Sequence, residues 1–448
     1  MAVTCFDGKP DLLGLHAANR LRYPYLLQTQ GDLGWDILFA FPQDTFQFAA
    51  SALEQQVSPF LEVLDSQWRL STNQVEPLSL DKLLPFQGGW FVYLGYELLH
   101  QLEPTVSIKS VPSDFPIAHL TRIPAAIMVS KESAKTYLFA EDRHGDLLHE
   151  LEADLKQVRN TLFSPPIIGE LKEEDESLFL DGARRIRTYI QEGDVFQVNL
   201  SREWQGQLHS GGAANLFASL RQHNPAPFSG IADFGQYQIV SSSPERLVSV
   251  RNGIVQTRPI AGTYARSIDA EEDMKLRREL LAHPKERAEH IMLVDLERND
   301  LGRICMPGSV EVDDLMSVKT YAHVHHIESN VRGRLRSDIT PGGVLRALFP
   351  GGTITGCPKV RTMQIINELE HTPRLAYTGS MGYLNHDGSM DLNILIRSFM
   401  LDQSQFKFRA GAGIVADSVP EKELDETRAK AKGLLRALNH GASYSVKS

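Results

Sequence analysis

The spacing of apolar residues constrains this chain more than any other feature. YPYLLQ, WDILFAF, GGWFVYLGY and AAIMVS are short apolar or alternating runs, of strand length rather than helix length. Farther on, VFQVNLSREW alternates, and YQIVSSSPERLVSVRNGIVQTRPI reads as strand, turn at Asn252-Gly253, strand. MDLNILIRSFMLD and QFKFRAGAGIVAD read as a hairpin. Helical periods run through LHELEADLKQVRNTLF, LFLDGARRIRTYIQEGD, MKLRRELLAHPKERAEHIMLVDLERNDLGRI with a break at Pro284, and the charged tail from Glu421 to Asn439. Hairpin-like connections outnumber the wide spacings of βαβ units. The pattern therefore predicts a mostly antiparallel α+β architecture rather than a doubly wound parallel sheet. SPPIIGELKEEDES, residues 164–177, has two prolines and then an acidic run. It reads as a linker or surface loop between an N-terminal part, 1–163, and a larger part, 178–448.

Composition narrows the function classes. The 448 residues are 42% hydrophobic and 23% charged, with a net charge of −10. That balance fits a water-soluble protein and argues against nucleic-acid binding. Cys5, Cys305 and Cys357 have neither metal-ligand spacing nor a disulfide framework, as expected in a reducing cytoplasm. The N-terminal run has no signal-peptide pattern, and no apolar run is long enough to span a membrane. Neither GxGxxG nor a Walker sequence is present.

Two glutamate pairs stand out: Glu286 and Glu289 in KERAEH, and Glu423 and Glu426 in PEKELDET. A three-residue spacing inside a helix puts both carboxylates of a pair on one face. Two such faces across a cleft would offer hard oxygen ligands for Mg²⁺, whereas the same spacing also suits solvated helix faces. GGTITGCPK, residues 351–359, combines glycines, two threonines and Lys359, without Walker spacing. RAGAGIVADS carries Gly411 and Gly413, which in a strand can bring backbone N–H groups close to an anion or mark a tight packing point. Arg397 sits in ILIRSF among apolar residues, where a guanidinium needs an anionic partner. In YAHVHHIES, His323 and His325 share one face of the predicted strand and His326 takes the other. A zinc-type third ligand is not nearby.

Taken together, GDVFQVNLS, SSPERL, RPIAGT, KERAEHIMLVDLERNDLGRI, VHHIESNVRG, FPGGTITGCPKVRTMQIINELE, YTGSMGYL, MDLNILIRS and AGAGIVADSVPEKELDET resemble the chorismate-utilising enzymes. The match is dense over roughly 175–440, and PFQGGWFVYLGYEL, residues 85–98, resembles the N-terminal part of the aminating branch. The resemblance implies two packed antiparallel sheets with helices outside and the active site between them. It implies Mg²⁺ on Glu289 and Glu426, with Glu286 and Glu423 acting through water, and the metal holding the ring carboxylate of chorismate. Tyr377, Arg397 and the backbone at Gly411 and Gly413 would bind the enolpyruvyl carboxylate, with Lys430 near the metal. His326 and Thr353 would face the ring near the departing hydroxyl, and Lys359 would hold its loop or complement the anion.

Water-using members carry a lysine base where this chain resembles them at Gln197, and an amide takes no proton. The chain thus looks like an ammonia user. QVNLS, PAPFS, SSPER, VHHIES and FPGGTITG resemble aminodeoxychorismate synthase component I, the reading favoured here. RPIAGT and AGAGIVADSVPEKE resemble anthranilate synthase component I, the alternative. Many aminodeoxychorismate synthases have a nucleophilic lysine in place of Ala261, and alanine has none. YLLQTQ departs at Gln28 and Thr29 from the tryptophan-feedback motif of anthranilate synthases. Nothing resembles a glutamine amidotransferase domain, so ammonia would come from a separate glutamine amidotransferase subunit or from free ammonium. Cys357 reads as a small buried residue.

Overall fold

The structure, a computed structural model, describes residues 2–50, 59–72, 84–112, 114–320 and 324–439. Two large antiparallel sheets form its centre. The first has twelve strands, in the order Ala2–Asp7, Lys135–Ala140, Ala125–Ser130, Trp35–Ala40, Tyr25–Gln28, Phe228–Asp233, Tyr237–Ser243, Ser398–Asp402, Gln405–Ile414, Gln197–Ser210 and Gly356–Cys357, with Ile167–Glu173 also on Gln197–Ser210. The second has ten, in the order Ile260–Ala265, Val324–Arg334, Ile254–Thr257, Arg246–Arg251, Met390–Asn393, Ser380–Asn385, Gly89–Leu94, Pro116–Ile123 and Thr45–Ala49, with Glu311–Thr320 also on Val324–Arg334. Strands in the middle of the first sheet are apolar on both faces, one against helices and one against the second sheet. In Ala125–Ser130, Ala126 and Met128 enter the core shared with the second sheet, while Ala125, Ile127 and Val129 meet helix residues such as Leu151 and Leu216. That two-sided burial explains the near-continuous apolar runs. Among the described residues no helix is long and apolar enough to cross a membrane.

Two expectations need correction. Ile167–Glu173, inside the presumed linker, is a strand whose Glu173 pairs with Trp204. Its side chains are half-exposed or exposed, so backbone pairing rather than apolar burial holds it, and its composition reads as a loop. Strands from both sides of this segment contribute to both sheets. The second correction concerns MDLNILIRSFMLD, which is two strands and not one. Met390–Asn393 belongs to the second sheet and Ser398–Asp402 to the first. Between them the chain crosses layers, and Arg397 takes a φ of +52° in that crossing. A second crossing runs beside it, from Tyr237–Ser243 in the first sheet to Arg246–Arg251 in the second, and the Ile394 N–H donates to the Glu245 carbonyl at 3.0 Å.

Candidate active site

Side chains from the two crossings and from two helices come together in a polar cluster, the candidate cleft. Helix Pro284–Gly302 starts with proline at its first position and carries Glu286 and Glu289. Helix Pro420–Ala437 starts the same way and carries Glu423, Glu426 and Lys430. Glu286 and Glu426 lie near enough to Glu289 for their charges to act on it. Burial raises the Glu289 pKa above the ordinary carboxylate value; a hydrogen bond from Gln197 opposes this, and the charges of Glu286 and Glu426 add to it. Gln197 Nε2 donates to Glu289 Oε1 at 2.8 Å. Lys430 Nζ lies 2.8 Å from Glu426 Oε1 and donates to the Gly411 carbonyl at 3.0 Å. Burial works against the lysine's charge, but Glu426 outweighs it and raises the pKa. Glu423 stands slightly apart and accepts from Ser418 Oγ at 2.7 Å.

These donors fit Mg²⁺. All are hard oxygens, and the carboxylates repel one another around Glu289. Among the described residues no three acidic, histidine or cysteine side chains close into a metal cage. Mg²⁺ asks for less than a cage, since it usually takes one or two carboxylates, waters and substrate oxygens.

Gln197 and Asn199 lie on one face of Gln197–Ser210 and cover the two predicted glycines. A Cβ at Gly413 would collide with Gln197 Nε2, and one at Gly411 would sit 2.6 Å from Asn199 Oδ1 and 2.8 Å from the Tyr377 hydroxyl. These close approaches explain why side chains are missing there. Tyr377 is buried, and the Arg374 guanidinium packs on its ring.

Arg397 sits in the layer crossing, not in a strand. Burial lowers its pKa, and among the described residues Glu245 is the carboxylate that opposes this, without an ion pair. Arg397 is half-buried, and a guanidinium with no ion pair among the described residues is a site for an anion. His326 is buried and its pKa is pushed down to about 4, by burial first and then by Arg397. Its Nδ1 donates to the Gly262 carbonyl at 3.3 Å, which leaves Nε2 as the acceptor nitrogen. His325, on the opposite strand face, instead meets Asp273 at 3.0 Å. His323 falls outside the described residues. Ala261 is buried and pairs with Ile327 next to a bulge at Gly262, where φ is +61°.

Glu245 was not singled out in the sequence, although it lies in the quoted run SSPERL. It is buried, and its pKa is pushed up to about 8, mainly by burial. It is therefore protonated at neutral pH. Thr353 Oγ1 lies beside it, buried and without a hydrogen bond of good geometry. Lys359 does not reach the cleft: its Nζ pairs with Asp300 and approaches the Leu348 carbonyl at 3.4 Å, so it secures the glycine-rich loop. Cys357 is half-buried, and burial raises its thiol pKa.

Comparison with known proteins agrees with this fold. The family model described as "chorismate binding enzyme" matches residues 23–436. An anthranilate synthase component I-like protein of Synechocystis is 41% identical over 358 residues, covering 79% of this chain and 73% of that protein. The aminodeoxychorismate synthase component 1 of Bacillus subtilis is 39% identical over 364 residues, covering 79% and 77%. Among solved structures, anthranilate synthase component I from Streptococcus pneumoniae superposes with a TM-score of 0.78 at 32% identity, covering 89% of this chain and 92% of that one. With fold and sequence in agreement over most of its length, the chain belongs to the chorismate-binding enzymes.

Proposed function

We propose that the protein is an aminodeoxychorismate synthase component I, converting chorismate and ammonia to 4-amino-4-deoxychorismate and water. Gln197 carries the assignment of the nucleophile. Its amide donates to Glu289 and has no basic nitrogen, so no base stands where water would need activating. Ammonia needs no such base, because it attacks as the free amine. A separate glutamine amidotransferase subunit supplies it, in keeping with relatives named as component 1.

Glu289 and Glu426, with Glu286 and Glu423 behind them, would hold Mg²⁺, which would supply positive charge for the ring carboxylate. Arg397, the Tyr377 hydroxyl and the backbone beside Gly411 and Gly413 receive the enolpyruvyl carboxylate. Glu245, protonated at neutral pH, gives its proton to the 4-hydroxyl as the C4–O bond breaks, with Thr353 Oγ1 alongside. Neutral His326 adds no second cation beside Arg397. Ammonia adds at C2 as that hydroxyl leaves as water; a second ammonia then bonds to C4 as the C2 amine departs.

A second reading is that of an anthranilate synthase component I, and Ala261 favours it, because no amine stands there to form a covalent adduct. Incubation with chorismate, Mg²⁺ and ammonium, followed by chromatography with and without a 4-aminodeoxychorismate lyase, separates the two. Release of 4-aminobenzoate only when the lyase is added supports the first reading. Anthranilate and pyruvate as main products overturn it. Ala261→Lys sharpens the answer: in a C4-aminating pocket the lysine amine takes the place of the first ammonia at C2 and activity is kept, whereas in an anthranilate-type pocket the nitrogen bonded to C2 must leave with the product and activity is lost.

A further inference from the structure

Arg374 lies outside every residue set discussed above as substrate-binding or metal-binding. It is 1% exposed, among the largest fully buried side chains. A guanidinium has five N–H donors in a fixed plane, and all five are engaged here. Nε and one Nη2 hydrogen grip Glu370 at 2.9 and 2.7 Å. The other Nη2 hydrogen goes to the Asn199 carbonyl at 2.7 Å. Nη1 donates to the Ile354 carbonyl at 3.1 Å and to Thr378 Oγ1 at 3.3 Å. The plane lies against Tyr96 and Tyr377, 4.9 and 5.5 Å from the ring centroids.

The acceptors matter because of their neighbours. Asn199 is two residues from Gln197 on the same strand face. Ile354 follows Thr353, and Thr378 follows Tyr377. One side chain thus joins the three segments that carry the nucleophile-facing amide, the hydroxyl beside Glu245 and the phenol beside Gly411. Thr378 also takes a φ of +62°, a conformation that a β-branched residue adopts only when its surroundings impose it. Its Oγ1 is fastened on both sides, accepting from Arg374 and donating to the Tyr377 carbonyl at 2.5 Å.

We infer that Arg374 is a positioning residue that sets the shape of the chorismate pocket by holding Asn199, Ile354 and the Tyr377–Thr378 segment in mutual register. The inference rests on the proposed reading of Tyr377 as a substrate-binding residue. Lysine cannot replace it: an ammonium has three donors, no plane to lie between two rings and no fork for Glu370. Glu370 would keep Arg409, 3.2 Å away, and the Ser201 hydroxyl, so the core retains a partner for that carboxylate when Arg374 changes.

The test measures chorismate binding by titration calorimetry with Mg²⁺ and without ammonium, so that no turnover occurs, on protein shown to be folded by circular dichroism. Arg374→Lys is expected to weaken binding roughly tenfold, about what one lost charge-assisted contact gives, and to raise KM more than it lowers kcat. Thr378→Val, which removes one acceptor, shifts Kd in the same direction by less. The double variant Arg374→Lys/Tyr377→Phe loses less than the sum of its parts, because the ring is already displaced. If Tyr377→Phe weakens binding while Arg374→Lys and Thr378→Val leave Kd unchanged, the inference is overturned and the reading of the site survives. If Tyr377→Phe itself leaves Kd unchanged, that reading fails first. Should Arg374→Lys not fold, an unchanged Kd in Thr378→Val overturns the inference alone.

Discussion

At one wall of the cleft, Glu289 lies near the charges of Glu286 and Glu426, and among the described residues the Gln197 amide and the Lys430 charge offset them. In the core behind Asn199, Glu370 is more deeply buried, yet it accepts from Ser201, Arg374 and Arg409. Burial would raise the Glu370 pKa, but the two arginines outweigh it and hold it below the ordinary carboxylate value. The cleft wall keeps a surplus of negative charge, and the core network has none left over. A surplus at a partly open surface suits a cation that arrives with its own waters. A saturated network suits groups that must already be in place when substrate binds.

The contrast can be broken at its strongest point first. Glu370→Ala would strand the Arg374 and Arg409 charges in the core, and an unfolding titration should show a loss of about 3–5 kcal/mol. A loss within the range of an ordinary surface change would remove the distinction between the two regions. Glu289→Gln should do the reverse, with turnover falling by about a hundredfold or more while the melting temperature holds or rises, since the change removes a repelling charge; Glu426→Gln should lose similar turnover but also the ion pair with Lys430. Full activity in either variant, or activity independent of Mg²⁺, would sink the metal assignment.

Glu245 sharpens the comparison because its burial serves a proton rather than an ion pair. Its folded pKa of about 8 lies above its ordinary value of 4.5. Its contribution to stability is therefore complete below 4.5 and is lost as pH rises through about 8. At constant free NH₃, log(kcat/KM) should bend downward above about pH 8, and Glu245→Gln should abolish the bend along with most of the rate. A rate that stays flat up to pH 10 in the unmodified enzyme would remove Glu245 as the proton donor. The smallest effect is expected at Gln197. Gln197→Lys places a base beside Glu289 and should add a minor isochorismate product, detectable by chromatography. Isochorismate as the main product of the unmodified chain would reverse the assignment of the nucleophile.

Much of this molecule was legible in one dimension because strands and helices announce themselves through side-chain period. Tyr25–Gln28, Trp35–Ala40 and Gly89–Leu94 lie where the apolar runs are, and Asn252 and Gly253 form the predicted turn with φ of +53° and +71°. Ile167–Glu173 escaped notice because an edge strand can be held by its backbone, which carries no signature in composition. Arg397 was placed in a strand because the residues around it are apolar on either reading. For Lys359 the sequence leaves two roles open, holding its loop or complementing the anion, because its partner Asp300 lies 59 residues away in sequence.

What the sequence alone determined was the family, the mostly antiparallel layering, the two glutamate faces and the absence of a base at Gln197, since each follows from residue identity and local spacing. Tertiary structure decided which charges are compensated. Glu245, Glu289 and Glu370 are the same residue type with the same intrinsic acidity. Burial and neighbours, drawn from distant parts of the chain, leave one protonated, one crowded by like charges and one locked between two arginines.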